Sequence, residues 1–120
     1  MYTTKDNQMS KELIPFSYQG MSVRVIKDEK GEPWFLAKDV RDVLDIRQVT
    51  YAVSRLDFDE KSTVDRTHLG LNPGVSMWVV NEPGLYKLVL RSDKPEAKLF
   101  QRWVTHEVLP SIRKHGGGRS

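Results

Sequence analysis

An α+β fold, in which small antiparallel β elements pack with about four helices, is predicted from three observations on this 120-residue sequence. Apolar and polar residues alternate near the amino terminus, as they do in strands with one buried face. Apolar residues then recur at helical spacing in residues 37–56 and again in residues 85–108. Turn-forming and helix-capping residues separate these segments. A chain of this length is expected to form one domain around its own hydrophobic core.

The first 36 residues predict three strands. Residues 16–18 and 23–25 alternate in polarity, and residues 34–36 form an apolar return strand. Between the last two strands, residues 28–31 end in a glycine that permits a positive φ, so we expect a turn there.

A helix-turn-helix-like pair is predicted next. In the first helix four apolar residues share a buried face, while Lys38, Asp39, Arg41 and Asp42 are expected to face outward. Residues 45–47 form a short break. A second helix then buries Val49, Ala52, Val53 and Leu56.

The remaining sequence predicts two strands and two helices. Residues 61–67 form a weak strand that pairs antiparallel with residues 76–80. Asn81 has the position of an N-cap, with Pro83 in the first turn of the helix that follows. Asp93 and Glu96 have the spacing of a capping box for the last helix, which carries Leu99 among its inward residues and should kink or end at Pro110.

Composition narrows the class of protein. The chain has no Cys, which excludes disulfides, Cys-ligated zinc and thiol nucleophiles and fits a reducing cytoplasm. No apolar run approaches the roughly 20 residues that span a bilayer, so no membrane association is expected. We assign residues 1–14 to a flexible N-terminus, residues 15–115 to the folded domain and residues 116–120 to a flexible tail.

Charge is divided unevenly along the chain. Residues 1–85 carry 11 Lys and Arg against 13 Asp and Glu, whereas residues 86–120 carry 8 against 3. A basic end on a nearly neutral body indicates a surface that meets a polyanion, and nucleic acid is the first candidate.

The second helix of the pair offers a candidate surface for reading DNA. When its apolar residues are buried, Gln48, Tyr51 and Arg55 share the opposite face, and Arg47 flanks them. Arg and Gln contact guanine and adenine edges, and Tyr can bond a phosphate. The alternative is an ordinary solvated helix face.

A second candidate surface lies on the basic end. Lys94, Lys98, Arg102 and His106 recur every fourth residue and predict one helical stripe, with Lys87 and Arg91 just before it and Arg113 after it. Such a stripe neutralises phosphates without reading sequence. The alternative is a solubilising face favoured by the helix dipole.

Enzyme signals are weak. The three histidines lack metal-ligand spacing, and the acids at 57, 59 and 60 are explained by the end of a helix. We therefore expect no catalytic residue, no metal site and no cofactor.

Three stretches resemble the Bro-N domain of viral proteins. They are residues 34–53, which begin WFLAKDV; residues 79–88, VVNEPGLYKL; and residues 94–116, which include KPEAKLFQRWV and EVLPSIRKHG. The resemblance covers residues 15–116. That family often carries a glycine near position 45, where this chain has Asp45.

The resemblance implies a nucleic-acid-binding α+β domain of a phage or prophage antirepressor. We therefore predict double-stranded DNA as the partner. From the two candidate surfaces described above, we expect the contacts to be made by Arg47, Gln48, Tyr51, Arg55, Arg91, Lys94, Lys98 and Arg102. The alternative is a protein-interaction module that binds and inactivates a phage repressor; a metal-dependent nuclease is a weaker option. A homodimer would suit a reader of paired half-sites, although no apolar seam in the sequence predicts one.

Overall fold

The structure, a computed structural model, describes residues 9–116 and the side chains of residues 9–114. In this range five antiparallel strands form one sheet in the order β1-β2-β3-β5-β4. The strands are β1 (Ile14–Tyr18), β2 (Met21–Lys27), β3 (Pro33–Leu36), β4 (Lys61–Val64) and β5 (Met77–Val80). The helices are α1 (Ala37–Leu44), α2 (Val49–Ser54), α3 (Glu82–Arg91), α4 (Ala97–Trp103) and α5 (Leu109–Gly116). The predicted α+β class is confirmed.

Two tight turns set the register of the first three strands. Gln19 and Gly20 both have positive φ and join β1 to β2, so that Tyr18 pairs with Met21. Gly31 has a φ of 83°, as predicted for the second turn. The Asp28 carboxylate accepts hydrogen bonds from the backbone N–H groups of Lys30 and Glu32, which stabilises that turn.

The segment before β1 packs on the sheet. Met9 is buried and bridges Asp28, and the Ser10 backbone N–H donates to the carbonyl of Lys27 at 2.7 Å. The assignment of residues 9–14 to a flexible terminus is therefore wrong, because the Met9 side chain joins an apolar cluster that the sequence does not make visible. Residues 1–8 and 117–120 of the predicted flexible ends lie outside the described residues.

The sheet separates two apolar clusters. The larger one lies between one sheet face and all five helices and includes Phe35, Leu85 and Phe100. The smaller one covers the other face, where Trp34 and Leu36 pack with Leu69 from the loop between β4 and β5. The helices on the first face carry the candidate site.

Helices α1 and α2 form the predicted pair, joined by residues 45–48. Ala52, Val53 and Leu56 are buried as expected. Asp39 is an exception to the predicted pattern, because it is only 4% exposed and not outward-facing. It is buried because Arg24 of β2 reaches it and supplies three hydrogen-bond donors.

The helix ends agree with the sequence only in part. The Asn81 side chain accepts a hydrogen bond from the Gly84 N–H at 3.1 Å, which confirms the N-cap. The capping box at Asp93 and Glu96 is wrong: the helix begins at Ala97 without a side-chain cap, and the Ser92 hydroxyl accepts instead from the Lys94 N–H. Leu99, expected to face inward, is 56% exposed.

The last helix continues through Pro110. A π-helical segment, Val104–Val108, joins α4 to α5, and the Leu109 N–H donates to the carbonyl of Val104. In this wider turn the N–H bonds to the carbonyl five residues earlier, so the hydrogen-bond pattern shifts by one residue just before Pro110. A regular helix would need an N–H at residue 110, which proline lacks. The expected interruption is thus a π segment, and the helix does not end there.

Gly84 sits at a close contact between α3 and the residues before β4. A Cβ at this position would lie 2.8 Å from the carbonyl oxygen of Glu60 and 3.3 Å from Cβ of Val80. We expect G84A to lower the free energy of unfolding by about 1–3 kcal/mol, although alanine is the better helix former.

Urea denaturation followed by circular dichroism measures this effect. The control is L90A in the same helix, whose side chain is 83% exposed and whose loss should change stability by less than about 0.5 kcal/mol. Equal or greater stability of G84A would show that α3 can move away from Glu60 at no cost.

None of the helices in the described part of the chain has the length and apolar character needed to cross a membrane.

Candidate nucleic-acid interface

The link between α1 and α2 directs a polar face to solvent. Asp45 ends α1 in the left-handed conformation, and its backbone N–H and that of Ile46 both donate to the carbonyl of Arg41. Because the buried side of α2 is fixed by Ala52 and Val53, the opposite side is exposed. It presents Arg47, Gln48, Tyr51 and Arg55, all of them exposed as predicted.

The linker between α3 and α4 is fastened to the end of α1. The Ser92 hydroxyl donates to the carbonyl of Leu44 at 2.9 Å, and Lys94 Nζ donates to the carbonyl of Val43 at 3.1 Å. These carbonyls have no partner within the helix, so the two side chains satisfy them. The linker is thereby held beside α2.

A cleft of about 390 Å³ lies between this linker and the start of α2; we call it the α2 cleft. It brings together residues that are about 40 positions apart in the sequence. Five predicted site residues line it: Arg47, Gln48, Tyr51, Arg91 and Lys94.

Tyr51 is the centre of the exposed face. The guanidinium of Arg91 lies 5.7 Å from the centroid of its ring, and that of Arg55 lies 5.9 Å from it. Both distances suit cation–π contacts. Arg55 therefore belongs to the same surface, although it does not line the cleft, and the ring stays 51% exposed for contact with a ligand.

Lys98 and Arg102 lie on a different surface. They line a groove of about 290 Å³ on α4 together with Gln101 and Thr105, which we call the α4 groove. The single stripe predicted from Lys94 to His106 is wrong, because α4 begins at Ala97 and Lys94 belongs to the linker. His106 Nδ1 lies 2.9 Å from the carbonyl of Arg102, to which it donates as the Nδ1–H tautomer.

Two other cations of the basic end are paired with acids of the first 85 residues. Lys87 Nζ donates to the Glu60 carboxylate at 2.9 Å, and this hydrogen bond raises the pKa of Lys87. Arg113 lies 3.7 Å from Glu82. Among the side chains that the structure describes, Arg91, Lys98 and Arg102 form no ion pair within 4.0 Å, so their positive charges remain available at the two surfaces.

Sequence reasoning missed two acids in the α2 cleft. Asp45 and Asp93 line it beside the cations and are exposed. A signal for Asp45 was present in the sequence, because it stands at the end of a helix where glycine is the usual residue. Asp93 gave no comparable signal, since its interpretation as a helix cap was plausible.

A group of three acids lies elsewhere, at residues 57–60. Carboxylate oxygens of Asp57, Asp59 and Glu60 lie within 4.8 Å of one another. Asp57 and Glu60 form a reciprocal capping box, and Glu60 also accepts from Lys87. Asp57 and Glu60 thereby cap a short 3₁₀ helix, Phe58–Glu60, which follows α2.

Comparison with known proteins identifies one family. The model of the BRO family N-terminal domain, Bro-N, matches residues 22–110. The match includes both helices of the pair, the α3–α4 linker and the α4 groove.

Relatives come from a bacterium and from viruses. An uncharacterised protein of Haemophilus influenzae is 39% identical over 96% of this chain and 55% of its own length. A protein of Invertebrate iridescent virus 6 that is named as Bro-N domain-containing is 32% identical, over 71% of this chain and 25% of its own length. A protein of Invertebrate iridescent virus 3 with the same kind of name is 34% identical, over 91% of this chain and 32% of its own length. The chain thus spans about half or less of these relatives. No solved structure matches it.

Proposed function

Because this chain belongs to the BRO family, whose N-terminal domain it contains, we propose that it binds double-stranded DNA as part of a phage or prophage antirepressor-like regulatory protein. The observation that carries the proposal is the α2 cleft. It joins Arg47, Arg91 and Lys94 with the hydrogen-bonding groups of Gln48 and Tyr51. Cations beside groups that bond base edges are the combination that DNA readers use.

The proposal assigns different tasks to the two surfaces. On the exposed face of α2 and in the adjoining α2 cleft, Gln48 and Arg55 contact base edges, while Arg47 and Arg91 contact phosphates. The α4 groove contributes Lys98 and Arg102, which lie one helical turn apart and contact phosphates only. Lys94 has a structural bond to Val43, so it contributes charge from a fixed position.

Binding of fluorescently labelled random duplex to the purified protein at 50 mM and 200 mM salt tests the proposal. We expect affinity to fall steeply between the two salt concentrations, because phosphate contacts release counterions. No measurable binding at 50 mM salt would contradict DNA binding by this chain.

Substitution of the base-reading residues gives a sharper result. We expect Q48A and R55A to alter the sequences recovered from a randomised duplex library, with the preference at one base pair reduced about fivefold or more. The control is T50A, since Thr50 is exposed on α2 but does not line the cleft. An unchanged selected sequence in both variants would mean that α2 does not read bases.

Capture of a phage repressor is a second candidate. It is favoured by Leu90 and Leu99, which are 83% and 56% exposed beside the cations Arg91 and Lys98. Exposed leucines contribute little to phosphate contacts and more to a protein interface. Failure to bind duplex, together with a stable complex with a phage repressor, would favour this function.

A further inference from the structure

Asp45 occupies a position whose local structure favours another residue. Its φ of 56° and ψ of 47° lie in the left-handed region, which glycine and asparagine occupy most often at helix ends. Its carboxylate also stands at the carboxyl end of α1, where the helix dipole makes negative charge unfavourable. Asparagine would keep the size of the side chain and remove the charge. The turn therefore does not explain why this residue is an acid.

The surroundings of Asp45 suggest what the carboxylate does. It lines the α2 cleft with Arg47, Arg91 and Lys94, and in the described part of the chain it forms no ion pair within 4.0 Å. A carboxylate at this place repels phosphates and so weakens non-specific binding. Its oxygens can only accept hydrogen bonds, so a contact with the ligand requires a hydrogen-bond donor on the ligand.

We propose that Asp45 is a specificity-determining residue that accepts a hydrogen bond from the exocyclic amino group of cytosine. This inference rests on the proposed DNA binding. In the major groove only cytosine and adenine present an amino group, and adenine places the acceptor N7 beside it, where it repels a carboxylate. Guanine and thymine present carbonyl oxygens, which repel it too. The carboxylate thus contributes more by disfavouring adenine, guanine and thymine than by adding affinity for cytosine.

Selection from a randomised duplex library with the whole chain, its D45N and D45G variants and the control D42N tests this assignment. Asp42 is exposed on α1, is paired with Arg41 and does not line the cleft, so D42N removes the same charge elsewhere. We expect the unmodified chain and D42N to select cytosine at one position. D45G should lose about tenfold of that discrimination, and D45N should lose it or shift toward adenine. Both should bind random duplex about twofold more tightly.

Each outcome has a definite meaning. A cytosine preference that persists in D45G, or the absence of any preference in the unmodified chain, overturns the role of Asp45 and leaves DNA binding intact. Absence of binding to any duplex overturns the proposed function itself. Since glycine and asparagine suit the left-handed backbone, both variants should melt at or above the temperature of the unmodified chain. A lower melting temperature would contradict the argument that Asp45 is locally unfavourable.

Discussion

Reversing the charges of Arg47 and Arg91 together is expected to weaken binding to random duplex about 30-fold at 50 mM salt. Both side chains line the α2 cleft and neither forms an ion pair with the acids beside it in the described structure. Removal of each phosphate contact lowers the slope of log affinity against log salt by about 0.9, so the slope of R47E/R91E should fall by about two.

Charge reversal in the α4 groove should also weaken DNA binding. Lys98 and Arg102 are exposed one turn apart, and K98E/R102E should also lower affinity and salt slope without changing the selected sequence. A loss of affinity in R47E/R91E but not in K98E/R102E would restrict the DNA footprint to the α2 cleft. Equal losses in both would extend it along the α3–α4 linker.

A matched control separates these effects from net charge. K30E/K38E changes the formal charge by the same amount at two exposed lysines that line neither surface. We expect its affinity to decrease less than about threefold, because these two lysines line neither surface and their loss removes no phosphate contact of the proposed interface. If the control loses as much affinity as R47E/R91E, binding follows net charge and no localised interface exists. Fluorescence anisotropy at several salt concentrations measures all three variants.

The part of the candidate site that lies on α2 could be predicted because its information is local. A period of apolar residues from Val49 to Leu56 decides which side of a helix is buried, and hence that Gln48, Tyr51 and Arg55 are exposed. The same rule failed one helix earlier at Asp39, because polarity was taken as evidence of exposure. The partner that buries Asp39 is Arg24, which is 15 residues away in sequence and in a strand.

The other wall of the cleft could not be predicted, since it depends on contacts between distant segments. Lys94 was placed on a helical stripe by its spacing from Lys98, whereas its ammonium group in fact satisfies a carbonyl of α1, 51 residues earlier. Ser92 acts in the same way at Leu44. The spacing of residues along a sequence does not reveal hydrogen bonds between segments this far apart. The capping-box pattern at Asp93 was misleading because α4 begins only at Ala97, with Glu96 at the N-cap position and no side-chain cap.

The Arg24–Asp39 pair is expected to be the strongest polar contribution to stability. Asp39 Oδ2 accepts from the backbone N–H of Arg24 at 2.8 Å and from its Nε at 2.9 Å, while Oδ1 accepts from Nη2 at 2.9 Å. These bonds raise the pKa of Arg24. They connect α1 to β2 and so orient the helix that leads into the α2 cleft. Asp39 also lies in the first turn of α1, where its charge is favourable.

We expect D39A to lower the free energy of unfolding by about 3 kcal/mol, because it leaves the part-buried Arg24 guanidinium without its acceptor and orphans a backbone N–H. D39N should cost nearly as much, since its amide group offers one acceptor where two oxygens are used. The exposed pair of Asp42 and Arg41 provides the control, and D42A should change stability by less than about 1 kcal/mol. Urea denaturation measures all three. A small loss in D39A would mean that the apolar packing of Val40, Val43 and Leu44 alone is sufficient to hold α1 on the sheet.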